Sequence, residues 1–234
     1  MGRVSLMLFG MLALAAPVRA ADCVVLLHGI ARSPSSLAPI ERVLTANGYG
    51  VMNLDYPSRT QNMLEIVENL KTPIKAFAQA CHGKVDFVTH SMGGLVARAY
   101  LAKYPPRNLG RVVMLAPPNH GSEVADFLQN DYFYRRFFGP AGQELITAQS
   151  ASLLAEMGTV TYPLGVIAGD RSVNLVSSWF ILPGEDDGKV TVASARLDGM
   201  TDFVALHTTH PFMMYNNEVM QQMLAFLKNG RFVH

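Results

Sequence analysis

The sequence predicts an α/β domain built on a mostly parallel sheet of about six strands, with helices on both faces. Three observations carry this reading. Short apolar runs rich in β-branched residues alternate along the chain with longer segments of helical periodicity, the order that parallel strands with right-handed crossovers require. At 234 residues the chain can enclose one sizeable core. Hydrophobic residues make up 50% of it and charged residues only 16%, a balance that excludes a disordered chain.

Residues 1–20 are set apart from this domain. Arg3 gives a positive start, Leu6 to Ala16 is apolar and uncharged, and Pro17 breaks the run. Val18-Arg19-Ala20 then offers small residues for cleavage, so the segment reads as a secretory signal peptide. Its apolar stretch is short for a bilayer span, which favours cleavage over anchoring. The expectation is a single domain over 21–234, exported to the periplasm or the medium. Loss of Arg3 and Arg19 takes the formal charge from +1 to −1, and nothing in the chain suggests a nucleic-acid partner.

The elements follow in order. Val24 to His28 is the first strand, and Ser36 to Asn47 is an amphipathic helix with Leu37, Ile40, Val43 and Leu44 at helical spacing. Gly50 to Asp55 is the second strand, and Tyr56 to Arg59 is a turn. Asn62 to Ala80 is helical, with Pro73 either kinking it or starting a second piece. Val85 to Thr89 is the third strand, and Leu95 to Leu101 lies in the helix after it. Arg111 to Ala116, Tyr162 to Asp170 and Phe203 to Leu206 complete six strands. Glu218 to Leu227 is a closing helix whose methionines read as core filler. Between Pro117 and Val160 the pattern is least regular and is crowded with aromatic residues such as Phe127, Tyr132, Phe133 and Phe137.

Two cysteines are present. Cys23 opens the first strand and Cys81 precedes the third, so if those strands are parallel neighbours both lie near one end of the sheet. In an exported chain a disulfide is favoured over two buried thiols, and neither residue has a partner at metal-ligand spacing.

One stretch carries chemistry: Val85-Asp86-Phe87-Val88-Thr89-His90-Ser91-Met92-Gly93-Gly94. A serine on a sharp strand-to-helix turn pushes its hydroxyl out of the sheet edge. The same turn leaves the Met92 N–H at a helix N-terminus, where an oxyanion can be held. The plainer use of such a serine is to cap the helix. As a nucleophile it needs a base, and the base needs an orienting carboxylate. His207, His210 and His234 are the late histidines; Asp170, at a strand end, and Asp187, in a loop, compete as the acid.

These residues resemble the motifs of the α/β-hydrolase superfamily, and of its small bacterial lipases and esterases in particular. The stretch around Ser91 is similar to the nucleophile elbow G-x-S-x-G, with Thr89 in place of the first glycine. His28-Gly29-Ile30 resembles the oxyanion loop. Pro117-Pro118-Asn119-His120-Gly121-Ser122-Glu123 resembles a P-P-N-x-G-S-E turn, Asp187-Gly188-Lys189-Val190 a D-G-x-V segment, and His210-Pro211-Phe212-Met213-Met214 an H-x-F-M-M motif. The resemblance spans nearly all of the chain after residue 20.

It implies an α/β-hydrolase fold without the two leading strands of larger members, and a lid or cap segment within 117–160 that serves as an acyl-binding wall or simply packs over the sheet edge. It implies Ser91 as nucleophile, His210 as base and Asp187 as acid, with Asp170 the alternative acid, and Ile30 and Met92 as backbone oxyanion donors. His28 is expected to brace its loop, His120 to be incidental, and Asp186 to face solvent. The activity implied is that of a serine esterase or lipase acting through an acyl-enzyme, on a small-molecule or lipid ester, with a transient lipid-surface contact and with no metal or organic cofactor. A thioesterase or acyltransferase would use the same residues. A binding protein on this scaffold is the reading from another class, and the complete Ser, Asp, His order argues against it.

Overall fold

Strands β1 (Cys23–Leu27), β2 (Gly50–Leu54), β3 (Val85–His90), β4 (Leu109–Leu115), β5 (Leu164–Gly169) and β6 (Asp202–Leu206) form one sheet in a computed structural model that describes residues 21–172, 182 and 184–234. The expected signal segment, residues 1–20, lies outside the described residues. The strand order is β2-β1-β3-β4-β5-β6, and every neighbouring pair is parallel.

Helices cover both faces, and for that reason β1, β3 and β5 are buried along their whole length and read as continuous apolar runs. Successive side chains serve opposite cores. Val25, Leu27 and Phe87 pack with α2 (Met63–Ala80) and α3 (Met92–Lys103). Val24, Leu26 and Val88 pack with α1 (Ala38–Ala46) and the closing helix Asn217–Asn229.

Local sequence explains the boundaries. Asn62 caps α2 reciprocally with Glu65, and the helix runs unbroken through Pro73, so no second piece starts there. The helix expected from Ser36 divides into a 3-10 turn, Pro34–Leu37, and α1. The stretch expected to be least regular holds three short helices, α4 (Glu123–Leu128), α5 (Tyr132–Gln143) and α6 (Ala151–Met157). Their apolar periodicity is obscured because several large side chains point outward: Phe127, Tyr132 and Phe133 are about three-quarters exposed (70%, 71% and 77%). A bend at Gly139-Pro140 also interrupts α5. Gly139 has φ +63°, and a Cβ there would meet the Arg59 carbonyl.

Cys23 and Cys81 are joined in a disulfide. Cys23 lies opposite Val85 in the β1–β3 register, so the bridge sits at the N-terminal end of the sheet. The other end is where the connections diverge. After β1 the chain moves outward to β2 and then returns to the far side of β1 as β3. In open α/β sheets the crevice at such a reversal, beyond the carboxyl ends of the strands, is where ligands bind.

Candidate active site

Ser91 occupies that crevice directly after β3. Its backbone has φ 54° and ψ −128°, a conformation a non-glycine residue rarely adopts and one that costs on the order of 1–3 kcal/mol. The surroundings enforce it. The Ser91 N–H donates to the Leu115 carbonyl of β4, and the helix begins at once with Met92. At Gly93 an added Cβ would lie 2.4 Å from the Leu27 carbonyl oxygen, so β1 and α3 approach this closely only because Gly93 has no side chain. Thr89, in place of the motif's first glycine, is fully buried at the end of β3, and the close approach at Gly94 is to Pro117, 3.0 Å from where a Cβ would lie.

His210 and Asp187 reach Ser91 from two later segments. His210 Nε2 is 3.1 Å from Ser91 Oγ, and His210 Nδ1 is 2.8 Å from Asp187 Oδ2. The second oxygen, Asp187 Oδ1, accepts the N–H groups of Lys189 and Val190 at 3.0 and 2.9 Å. The His210 N–H also donates to the Asp187 carbonyl at 2.9 Å, so the two residues are linked through backbone and side chain together. Ser91, Asp187 and His210 are all buried. Asp170 is elsewhere: its carboxylate is 3.1 Å from His207 Nδ1, and His207 is exposed. His234 pairs with Asp202.

The loop after β1 is braced from behind. His28 is fully buried; its ring stacks on Tyr56 with centroids 4.1 Å apart, and its Nδ1 lies 2.9 Å from the Gly29 carbonyl. Tyr56 donates its hydroxyl to the His28 carbonyl. Burial lowers the His28 pKa and favours a neutral ring. Gly29 passes close beside Ser91: a Cβ there would be 3.1 Å from Ser91 Cβ. Ala31, at φ 53°, donates its N–H to the buried Ser58 hydroxyl, which holds the turn carrying Ile30. Met92 is the first residue of α3, so its N–H is outside the helical ladder.

Ser91 and His210 open onto a cavity of about 370 Å³ whose apolar wall includes Ile30, Val124, Leu128, Phe138 and Leu145. Four of these five come from the 117–160 segment, which therefore walls the cavity instead of only covering the sheet edge. His120 is exposed and does not line it.

One expectation is overturned. Asp186 is buried, not solvated, because its Oδ1 accepts the Gly188 N–H at 2.7 Å and so shapes the loop that presents Asp187.

Other contributors were not singled out from the sequence. His90, beside Ser91, is buried with its Nε2 3.2 Å from the His210 carbonyl and its ring 4.8 Å from the His210 ring. Burial holds its pKa well below the usual histidine value, with the neighbouring His210 acting in the same direction, so it steadies the His210 loop as a neutral group. Asn119 and Ser122, in the P-P-N-x-G-S-E turn, reach to the segment after Asp187: Asn119 Nδ2 donates to the Ala195 carbonyl and Ser122 Oγ to the Lys189 carbonyl, each at 2.8 Å. The motif was visible, but its partners are more than 60 residues away.

A strained serine at the switch point of an all-parallel sheet, facing an aspartate-bound histidine, is the arrangement of the alpha/beta hydrolases. The chain belongs to that family, whose profile matches residues 24–224. A triacylglycerol lipase of Pseudomonas fragi is 32% identical over 109 residues, which cover 47% of this chain and 35% of the relative. A triacylglycerol lipase of Burkholderia plantarii is 33% identical over 90 residues, 38% of this chain and 23% of the relative. The matched parts thus span about a third or less of these curated relatives. In structure, the mature lipase of Bacillus licheniformis superposes with a TM-score of 0.77 at 21% identity, over 93% of this chain and 95% of that one.

Proposed function

We propose that the protein is a serine hydrolase that cleaves carboxylic esters. The observation that carries this reading is the buried relay from Asp187 through His210 to Ser91, with gaps of 2.8 and 3.1 Å, opening onto an apolar cavity. The lipase names of its relatives support it.

In this reading Ser91 Oγ attacks the ester carbonyl while His210 Nε2 takes its proton. Asp187, acceptor-only and held by two backbone N–H groups, keeps the proton of His210 on Nδ1 and stabilises the imidazolium. The Met92 and Ile30 N–H groups are assigned to the oxyanion. Collapse of the tetrahedral intermediate breaks the acyl C–O bond, and the departing oxygen takes the proton from His210. Water then adds to the acyl-serine by the same route and releases the acid. The acyl chain is assigned to the wall formed by Val124, Leu128, Phe138 and Leu145. Export through the 1–20 segment belongs to the same reading, and the Cys23–Cys81 bridge supports it, since such bonds persist in oxidising compartments.

The test is fluorophosphonate labelling alongside hydrolysis of a chromogenic hexanoyl ester. The wild-type protein should label at Ser91 and turn over the ester. A folded Ser91→Ala protein should do neither, with turnover lower by several orders of magnitude. Near-normal turnover in that variant would refute the mechanism.

A further inference from the structure

Beside the apolar cavity the surface becomes cationic. A cleft of about 460 Å³ is lined by Pro211 and Tyr215, from the loop that carries His210, together with Arg32, Arg59, Ser33 and Ser35. Arg32 also lines the cavity that holds Ser91, so the two spaces adjoin. Arg32 and Arg59 meet Arg136 in a neighbouring depression.

All three arginines are exposed, and among the described residues none is ion-paired with a carboxylate. The one carboxylate in the depression, Asp55, is exposed and lies 3.4 Å from His28 Nε2. Arg59 is held in place: its Nε donates to the Phe137 carbonyl at 2.6 Å and its guanidinium lies 4.2 Å over the Phe137 ring. That anchorage leaves its terminal nitrogens for another acceptor. The Ser33 and Ser35 hydroxyls are 2.7 Å apart; one donates to the other, and the second O–H remains available.

The chemistry decides which part of an ester would lie here. The departing alcohol oxygen must face His210 Nε2 to receive its proton. The alcohol portion therefore leaves the cavity on the His210 side, where Pro211 and Tyr215 border the cationic cleft. Guanidinium forks pair bidentately with phosphate oxygens: a phosphate monoester, with three free oxygens and up to two negative charges, engages both arginines, and a phosphodiester still keeps two free oxygens for them.

We propose that the alcohol portion of the substrate carries a phosphate, seated on Arg32 and Arg59, while the acyl chain occupies the apolar cavity. This rests on the ester-hydrolase reading above. The phosphate is a spectator: the acyl C–O bond breaks, water supplies the oxygen of the released acid, and the alcohol departs with its phosphate unchanged.

The test compares two soluble, non-aggregating esters: the hexanoyl ester of ethylene glycol phosphate and that of ethylene glycol methyl ether. At low salt the wild-type protein should favour the phosphate ester by about tenfold or more in kcat/KM, which corresponds to about 1.4 kcal/mol. The preference should shrink towards 0.15 M salt, where the screening length is about 8 Å. In the Arg32→Gln/Arg59→Gln protein the ratio should fall to near unity. Equal rates in the wild type, or a preference that survives in the variant, would overturn the subsite.

Vesicles of dioleoyl phosphatidylglycerol and of the matching phosphatidylcholine separate the sources of the phosphate. Both lipids carry a phosphodiester, so variant-sensitive hydrolysis of either, in addition to the soluble preference, places the phosphate in a lipid headgroup. Hydrolysis confined to the soluble ester assigns it to small phosphate esters. Discrimination between the vesicles without any soluble preference would overturn the cleft in favour of general surface attraction. Calorimetry on the Ser91→Ala protein needs no turnover: hexyl phosphate should bind there and lose that binding in the added Arg32→Gln/Arg59→Gln background, and absent or unchanged binding counts against the cleft. If neither ester is cleaved while this binding is seen, the ester-hydrolase reading fails and the anion site stands.

Discussion

The two ends of the sheet are built on opposite principles. At the carboxyl end, Ala31, Ser91 and Ala116 follow β1, β3 and β4, and they are the non-glycine residues with positive φ among the described residues. Each costs backbone strain. At the amino end positive φ is confined to glycines such as Gly48 and Gly199, among the described residues, and a disulfide ties the start of β1 to the approach of β3. The difference teaches that local strain is concentrated where three central strands hand the chain to the site, while covalent stabilisation is placed at the opposite end, where it cannot disturb the geometry around Ser91.

The largest effect that would sharpen this contrast lies in the acid loop. Asp187→Asn should lose on the order of 10⁴ in turnover, because an amide cannot keep the proton on the correct nitrogen of His210. Asp170→Asn should lose little, since its carboxylate serves the exposed His207. Rates on one ester, with folding checked by circular dichroism, decide between them. A dead Asp170→Asn beside an active Asp187→Asn would move the acid to Asp170.

A smaller effect belongs to the other end. Reducing the Cys23–Cys81 bridge, which closes a separation of 58 residues, should cost roughly 2–4 kcal/mol of stability. The melting temperature should fall, while kcat of the still-folded protein stays within about twofold, since the bridge lies at the far end of β1 and β3. A large loss of turnover below the new melting transition would show that the two ends are coupled after all.

The smallest effect measures the strain directly. Ser91→Gly and Ser91→Ala both remove the hydroxyl, but only glycine relieves the positive φ. The glycine variant should be more stable than the alanine variant by about 1 kcal/mol, read from denaturant midpoints. Equal stabilities would mean that the turn at Ser91 is not strained.

What was legible in the sequence follows from the same physics. The sheet was readable because strands buried on both faces must be apolar throughout, as in β1 and β3. Ser91, Asp187 and His210 were readable as motifs because each sits beside residues that its own turn demands. The small helices of the 117–160 segment were not, because α4 and α6, of six and seven residues, are too short to repeat an apolar face and α5 is interrupted at Gly139-Pro140. Asp186 misled because an acid next to another acid reads as solvated, whereas its side chain closes the turn on Gly188. His90 carried no local signal, since its partner is the backbone of a residue 120 positions later.

The bridge between Cys23 and Cys81 also bears on how the chain is made. Synthesis runs from the amino terminus, so both cysteines emerge before the strand that carries Ser91. The ring they close contains β1, α1, β2 and α2. In an oxidising medium that ring can be tied while the rest of the chain is still arriving. β3 then adds to an edge of β1 already tethered beside it, and Ser91 is laid down on a half-sheet that is covalently closed in advance.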